Sequence, residues 1–153
     1  MEVTMTITFC GHSNFSFDNT VKEKLRELLL QEIRKNPACK FYLGGYGDFD
    51  SLCLNILKEI KADFPAIELL FITPYLNDNY SKLETAKLYY DGIIYPPLEN
   101  VPRQFCISKR NEWMVNEADF LIAFVKYSWG GAAKTLEYAK RKKVDFFNLA
   151  ELY

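Results

Sequence analysis

The stretch FLIAFVKYSWGGAAKTLEYAKRKK, residues Phe120–Lys143, indicates the fold class of this chain. It opens with an apolar segment, Phe120 to Val125, whose length and composition are typical of a buried strand. The glycine pair Gly130-Gly131 follows, and the residues from Ala132 to Lys142 have the pattern of a helix. The stretch therefore predicts a strand–turn–helix unit. Its glycine pair either holds a phosphate group or only turns the chain.

The same alternation of short apolar segments and longer amphipathic ones runs along the chain. The predicted strands are Val3–Cys10, Lys40–Leu43, Ile67–Thr73, Gly92–Tyr95, Phe120–Val125 and Val144–Asn148. The first predicted helix follows caps offered by Asp18, Asn19 and Thr20 and runs to about Lys35. The other predicted helices are Asp50–Lys61, Ser81–Tyr89, Phe105–Glu117 and Ala132–Lys142. This order predicts an α/β fold, with a mostly parallel sheet and helices on both faces. With 153 residues and no visible linker or repeat, residues 1–153 are expected to form a single domain.

The charge and composition of the chain indicate which kinds of partner to expect. The net charge of -1 argues against nucleic acid as a partner, because a nucleic-acid binder needs a basic face to displace counterions. No apolar run approaches the roughly 20 residues that span a bilayer, and no signal peptide is visible, so no membrane partner is expected. The four cysteines lack CxxC spacing, which favours a reducing cytoplasm. Cys10 and His12 make one pair of ligands without a second pair, so no metal site is expected.

In parallel sheets, ligands bind at the carboxyl ends of the strands, so the segments that follow each strand are the candidate sites. Gly11, His12 and Ser13 follow the first predicted strand. Glycine lets the backbone approach a ligand closely. His12, the only histidine in the chain, either contacts the ligand or is a hydrogen-bonded loop residue.

The second predicted strand ends in Gly44, Gly45, Tyr46 and Gly47, just before a helix. Backbone N–H groups and the helix dipole favour anions at such a turn, which makes it a candidate phosphate cradle. The turn matches neither GxGxxG nor GxxxxGK[ST], so no dinucleotide fingerprint or P-loop is present and no cofactor is expected. Asp50 either belongs to the ligand site or caps the helix.

A second group of candidates follows the Phe120 to Val125 segment. These candidates are Trp129, Gly130, Gly131, Ala132, Lys134 and Thr135. Both glycine-rich turns would lie on the same edge of the sheet, which favours a shared ligand over two unrelated tight turns. Arg110 lies on the preceding helix and is either a surface charge or a ligand contact, for which arginine is well suited because it can hold phosphate in a bidentate way.

These segments together resemble the SLOG superfamily of Rossmann-like proteins. That superfamily includes the "lonely guy" phosphoribohydrolases, the lysine-decarboxylase-like proteins, and the DprA-like and YpsA-like groups. TFCGHS resembles the TGHR start of the YpsA-like branch, and GGYGDFDSL resembles its GGAxGFD turn. KRNEWMVNEADFLIAF followed by WGGAAKTLEYAKRKKV resembles its last two elements. The resemblance covers almost the whole chain and implies a single Rossmann-like domain.

The enzymatic branch carries an RKxxM…AD helix followed by PGGxGTxxE. The matching positions here are Arg110, Met114, Asp119, Gly130, Gly131 and Glu137. In the enzymes, the arginine and the final glutamate help to cleave the N-glycosidic bond of a nucleoside monophosphate. The resemblance therefore makes Arg110 and Glu137 the catalytic candidates if the chain is an enzyme.

The departures from the enzyme motif favour the non-enzymatic branch. Trp129 replaces its proline, Ala133 its third glycine and Lys134 its threonine, and the loop before the glycine pair is about four residues longer. Ser13 replaces the arginine of TGHR.

Two functions are expected from these observations. The first is a sensor or sequestering protein for a nucleotide or nucleotide-derived small molecule, such as the ADP-ribose-type signals that this superfamily senses in bacterial and phage conflict. Amides of Gly45–Gly47 and Gly131–Ala133 would hold phosphate, Arg110 and Lys134 would add charge, and Tyr46 and Trp129 would stack on a base. The alternative is an N-glycosidase of phosphoribohydrolase type. The resemblance also implies a homodimer or homotetramer, and a DprA-like contact with single-stranded DNA is the least favoured function.

Overall fold

The computed structural model describes residues 4–76 and 80–152, and within them six strands form one sheet. The strands are β1 (Thr6–Gly11), β2 (Lys40–Leu43), β3 (Glu68–Ile72), β4 (Gly92–Ile94), β5 (Phe120–Phe124) and β6 (Asp145–Asn148). Their order is β4-β3-β2-β1-β5-β6, and each of these neighbouring pairs is parallel. The predicted α/β class with a parallel sheet is confirmed.

Helices connect the strands. They are α1 (Asn19–Lys35), α2 (Asp48–Lys61), α3 (Tyr80–Tyr89), α4 (Cys106–Glu117) and α5 (Gly131–Arg141). A 3-10 turn, Arg103–Phe105, precedes α4, and another, Leu149–Leu152, follows β6.

Most predicted boundaries lie close to the observed ones, and the largest shifts have local causes. The predicted helix start at Asp50 is wrong: α2 begins at Asp48, because Gly47 takes the N-cap position with φ 91°. Gly130 does the same for α5 with φ 95°. The strand predicted over Val3–Cys10 begins at Thr6, and Val3 lies outside the described residues.

Both faces of the sheet are covered, as alternate residues of β5 demonstrate. Successive side chains of a strand point to opposite faces. Ile122 and Phe124 pack in a core cluster with residues of α1 and α2, whereas Leu121 and Ala123 pack with residues of α4 and α5. The strand is therefore buried on both sides, which explains why its sequence is apolar throughout rather than alternating.

Helix α1 is built from leucine and isoleucine at helical spacing. Leu25, Leu29 and Ile33 lie four residues apart and have no exposed surface. Each such buried side chain stabilises the fold by about 1.5–3 kcal/mol. Asp18 provides the predicted cap, because its Oδ1 accepts a hydrogen bond from the Val21 amide at 3.0 Å.

The strand order places three loops at one edge of the sheet. Strand β1 pairs with β2 on one side and with β5 on the other, so the direction of chain travel across the sheet reverses at β1. The segments that follow β1, β2 and β5 therefore meet at their carboxyl ends. In open parallel sheets this position is where ligands bind.

Candidate ligand-binding site

A cavity of about 360 Å³ lies at this position, between the ends of β1 and β5 and the helices α2, α4 and α5. Its lining is Phe9, Cys10, Gly11, His12, Ser13, Asn14, Tyr46, Asp50, Ile107, Arg110, Asn111, Met114, Tyr127, Trp129, Gly130, Gly131, Ala132 and Thr135. We call it the central cavity. Its volume and its mixture of apolar walls with a few polar groups are typical of small-molecule sites.

His12 forms one wall of the central cavity and is held by its neighbours. Its Nε2 accepts a hydrogen bond from the Lys126 amide at 2.8 Å, and its ring lies 4.8 Å from the Tyr127 ring. Burial lowers the pKa of the imidazole. Because Nε2 is an acceptor, the neutral ring carries its proton on Nδ1. His12 is thus a hydrogen-bonded loop residue that also lines the central cavity, and its contact with a ligand stays a prediction.

Gly11 and Ser13 flank His12 and fix the loop against α2. A Cβ atom at Gly11 would lie 2.3 Å from the Phe49 ring, so a side chain there would displace Phe49. At Gly47, a Cβ would lie 2.6 Å from the Ser13 Cα. These close approaches explain the glycines without a ligand.

The amides that follow the GGYG turn, at the start of α2, already donate hydrogen bonds to other parts of the protein. The Asp48 amide donates to the Ser13 carbonyl at 2.9 Å, and the Phe49 amide contacts the His12 carbonyl at 3.4 Å. In return, the Asp48 carboxylate accepts from the Phe15 amide at 2.9 Å. The N-terminus of α2 is therefore used to join the loop after β1. Gly44, Gly45 and Gly47 do not line the central cavity, whereas Tyr46 does.

Asp50 lies within the first turn of α2 and does not act as its N-cap. Its Oδ2 accepts from the Tyr46 amide at 3.4 Å, and Asp50 is among the residues that line the central cavity. Burial raises the pKa of this carboxyl group to about 6, although the nearby Arg110 and Lys82 cations lower it in part. A partly protonated carboxyl group in a cavity is a feature of functional sites.

Arg110 is buried beneath the central cavity, with 4% of its surface exposed. Its Nη1 donates to the carbonyls of Gly44 at 2.9 Å and Ile72 at 2.8 Å, and its Nε donates to Asn111 Oδ1 at 2.9 Å. Burial lowers the pKa of the guanidinium, and the Asp50 carboxylate opposes that shift. The side chain thus joins α4 to the ends of β2 and β3 and fixes a positive charge at the cavity floor.

The start of α5 differs from the start of α2, because its turn is open. Gly130 provides the N-cap without a side-chain hydrogen bond, and a Cβ at Gly130 or Gly131 would meet no atom of residues 4–76 and 80–152 within 4 Å. The first amides of a helix have no partner within the helix. The central cavity is lined here by Gly130, Gly131, Ala132 and Thr135. The helix dipole favours an anion at this position.

Aromatic rings extend from the cavity to the surface. Tyr127 stacks on Trp129 with a centroid distance of 4.8 Å and an interplanar angle of 18°, and its other neighbour is His12. Trp129 is 68% exposed. A flat apolar group could stack at the outer end of this column or enter between it and Tyr46.

Glu137 and Lys134 lie on a second cavity of about 530 Å³, between α4 and α5. The Glu137 side chain is 63% exposed and pairs with Lys140 at 3.4 Å. Neither residue lines the central cavity, and Arg110 does not line the second one. The two cavities share part of their walls, including Asn111. Within one chain, the structure therefore does not bring Arg110 and Glu137 to the same cavity.

Sequence reasoning missed several cavity residues. Tyr127 follows strand β5, so its position after a strand end was the available signal. Asn111 is next to Arg110 and accepts its Nε, a contact that no local pattern reveals. Across residues 4–76 and 80–152, no group of three or more His, Cys, Asp or Glu side chains is arranged to hold a metal ion.

Comparisons with known proteins show which solved structures have a similar fold. No family model and no curated protein matches the chain. Among solved structures, it is similar to DNA processing protein A (DprA) from Streptococcus pneumoniae, with a TM-score of 0.63, 12% identity and 95% of this chain covered. DprA from Helicobacter pylori matches with a TM-score of 0.61, 16% identity and 94% coverage. TM1055, a structural genomics target, matches with a TM-score of 0.55, 16% identity and 94% coverage.

The chain corresponds to part of these proteins. It covers 50% of the S. pneumoniae DprA chain, 64% of the H. pylori chain and 72% of the TM1055 chain. These matches therefore establish a shared fold over one region of the longer proteins.

The comparisons contradict one expectation. We expected from the net charge that nucleic acid would not be a partner, yet the H. pylori DprA of this fold has a single-stranded DNA binding mode. The exclusion was wrong because net charge is a sum over the chain. Single-stranded nucleic acid can be bound by a local groove and by stacking on aromatic rings.

None of the helices in the described parts of the chain is long and apolar enough to span a membrane. The fold that the sequence resemblance implied is confirmed: the chain has a Rossmann-like fold with a six-stranded parallel sheet, similar to the folds of these DprA and TM1055 structures.

Proposed function

We propose that the protein binds a nucleotide or a nucleotide-derived small molecule, such as an ADP-ribose derivative, in the central cavity. The observation that carries this proposal is the arrangement of three kinds of group around one cavity of about 360 Å³. The open turn at Gly130 and Gly131 suits phosphate, Asp50 with Arg110 forms a polar floor, and aromatic rings flank the opening. A nucleotide has a part for each of these groups: a phosphate, a sugar with hydroxyl groups and a flat base.

Phosphate is assigned to the start of α5 and not to the start of α2. At α2, the amides of Asp48 and Phe49 already have carbonyl partners. At α5, Gly130 leaves the first amides without a side-chain cap. An anion at α5 would satisfy these donors and interact favourably with the helix dipole.

Binding is favoured over N-glycosidic cleavage by the position of Glu137. In the enzyme-like reading, Arg110 and Glu137 act on one substrate, but here they line different cavities and Glu137 is largely exposed. A carboxylate in water does not exclude solvent from a reacting sugar. The protein would then hold its ligand intact, as a sensor or a sequestering protein.

The experiment is a thermal-shift panel with AMP, GMP, CMP, UMP, NAD, ADP-ribose and a single-stranded DNA 20-mer. A ligand at 100 times its dissociation constant adds about 2.7 kcal/mol to the free energy of unfolding. We expect stabilisation by at least one small nucleotide, which chromatography then recovers unchanged. Release of free base that is lost in Glu137→Ala would establish the N-glycosidase instead. Stabilisation by the 20-mer alone would contradict a small-molecule site.

A further inference from the structure

Asp50 and Arg110 approach one point at the floor of the central cavity. The position that a Cβ of Gly44 would occupy lies 3.0 Å from Asp50 Oδ2 and 3.2 Å from Arg110 Nη2. The two side chains come from different helices, α2 and α4. Any residue other than glycine at position 44 would crowd both of them. Gly44 therefore allows a negative and a positive group to lie side by side at the floor.

The two groups do not neutralise each other by direct contact. Among the ion pairs within 4.0 Å in the described residues, none joins Asp50 to Arg110. The guanidinium is instead fixed by the carbonyls of Gly44 and Ile72. A carboxylate can accept about four hydrogen bonds, and the backbone amides of Tyr46, at 3.4 Å, and Gly45 use only part of that capacity.

This floor suits a neutral group with several hydroxyl donors. A phosphate placed against Asp50 would be repelled by the carboxylate, whereas the open start of α5 offers donors without an opposing charge. A pair of neighbouring hydroxyls can donate to the two carboxylate oxygens and accept from the arginine. The raised pKa of Asp50 agrees with this, since burial removes water from a carboxyl group that hydroxyl donors of a ligand could then serve.

We infer that Asp50 and Arg110 form the ribose subsite of the central cavity, in which the Asp50 carboxylate accepts hydrogen bonds from the vicinal 2′- and 3′-hydroxyls of the ligand. This inference rests on the proposed function, because it assumes that a nucleotide occupies the cavity. It fixes the orientation of that nucleotide: the sugar lies on the floor, and the phosphate lies at Gly131 and Ala132. It also makes Asp50 the residue that selects ribonucleotides over deoxyribonucleotides.

The test is a comparison of dissociation constants by isothermal titration calorimetry. AMP, GMP, CMP and UMP are each paired with the 2′-deoxy counterpart, which for UMP is 2′-deoxyuridine monophosphate, and ADP-ribose is paired with its 2′-deoxy form. In the wild-type protein we expect loss of the 2′-hydroxyl to weaken binding about tenfold, the usual effect of losing a hydrogen bond to a charged group. In Asp50→Asn the ribose and deoxyribose forms should differ by less than about threefold.

Asp63→Asn is the matched control, because it makes the same change at an exposed position after α2. It should keep the tenfold discrimination. Equal affinity of the wild-type protein for ribose and deoxyribose forms would overturn the ribose subsite while leaving nucleotide binding intact. Absence of binding by every nucleotide would overturn the proposed function and this inference with it. If Asp50→Asn does not fold, the wild-type comparison alone decides.

Discussion

The Nη1 atom of Arg110 donates a hydrogen bond to the carbonyl of Gly44 at 2.9 Å, although 66 residues separate the two in the sequence. The same atom donates to the Ile72 carbonyl at 2.8 Å. One buried guanidinium thus ties α4 to the ends of two strands. The same side chain therefore stabilises this edge of the sheet and forms part of the floor of the central cavity.

Arg110→Ala should therefore destabilise the protein by about 3 kcal/mol, because two buried carbonyl groups lose their donor. The free energy of unfolding in urea measures this effect. Arg34→Ala, which removes an exposed arginine from α1, should change it by less than about 0.5 kcal/mol. A loss below about 1 kcal/mol in Arg110→Ala would show that water replaces the guanidinium at little cost.

Asp50→Asn should stabilise the ligand-free protein at neutral pH. The pKa of Asp50 rises from the ordinary 3.8 to about 6 in the folded chain, so the folded state binds the proton more tightly than the unfolded state. The contribution of Asp50 to stability is therefore fully present below about pH 4 and is lost as the pH rises through about 6. The ionisable groups that influence Asp50 are Arg110 on α4, Lys82 on α3, Tyr90 after α3, Cys53 on α2 and Cys10 on β1.

Asparagine removes this loss, so the variant should gain roughly 1–2 kcal/mol at pH 7.5 and clearly less at pH 4.5. Thermal unfolding at the two pH values measures the difference, at about 2–4 °C per kcal/mol for a chain of this size. A variant that is destabilised equally at both pH values would mean that the carboxylate is well satisfied in the folded protein.

The two glycines before α5 should respond differently to alanine. Gly130 has φ 95°, which an alanine adopts only with strain, so Gly130→Ala should cost about 1–2 kcal/mol. Gly131 is the first residue of α5, and an added Cβ would meet no atom within 4 Å in the part of the chain that the structure describes. Gly131→Ala should therefore be neutral or stabilise by up to about 1 kcal/mol. Equal effects in urea unfolding would contradict the observed turn.

His12 should titrate at a lower pH than a free histidine. Burial lowers its pKa from the ordinary 6.5, and the Lys126 amide holds Nε2 as an acceptor. Because it is the only histidine, its ring gives a single set of nitrogen-15 signals in NMR spectra. We expect a proton on Nδ1 at neutral pH and a midpoint below 6.5. A proton on Nε2 would show that the bond to Lys126 does not form.

The sequence indicated the fold well because the relevant signals are local. Apolar runs such as Phe120–Phe124 and the glycine before each of α2 and α5 mark strands and turns by composition. The positions of Tyr46, Trp129 and Gly130 around one cavity then follow from parallel strands that end at one edge.

What could not be read from the sequence are contacts between distant residues. The two glycine turns look alike in sequence, yet the carbonyls of His12 and Ser13 occupy the start of α2 and leave that of α5 open. The burial of Arg110 depends on carbonyls supplied by two strands. Glu137 keeps its spacing from Gly130, but the helix turns it toward the second cavity. Each of these facts depends on tertiary packing.

The central claim is that the open start of α5 holds the phosphate of a bound nucleotide. Ala132 lines the cavity within the first turn of α5, so Ala132→Glu places a negative charge against the phosphate while it suits the helix dipole. The measurement is the dissociation constant, by calorimetry, of the nucleotide that most stabilises the wild-type protein, compared across wild type, Ala132→Glu and the uncharged control Ala132→Gln. We predict at least tenfold weaker binding in Ala132→Glu, less than threefold change in Ala132→Gln, and no loss of thermal stability in either. Equal affinity in Ala132→Glu and Ala132→Gln would contradict the account.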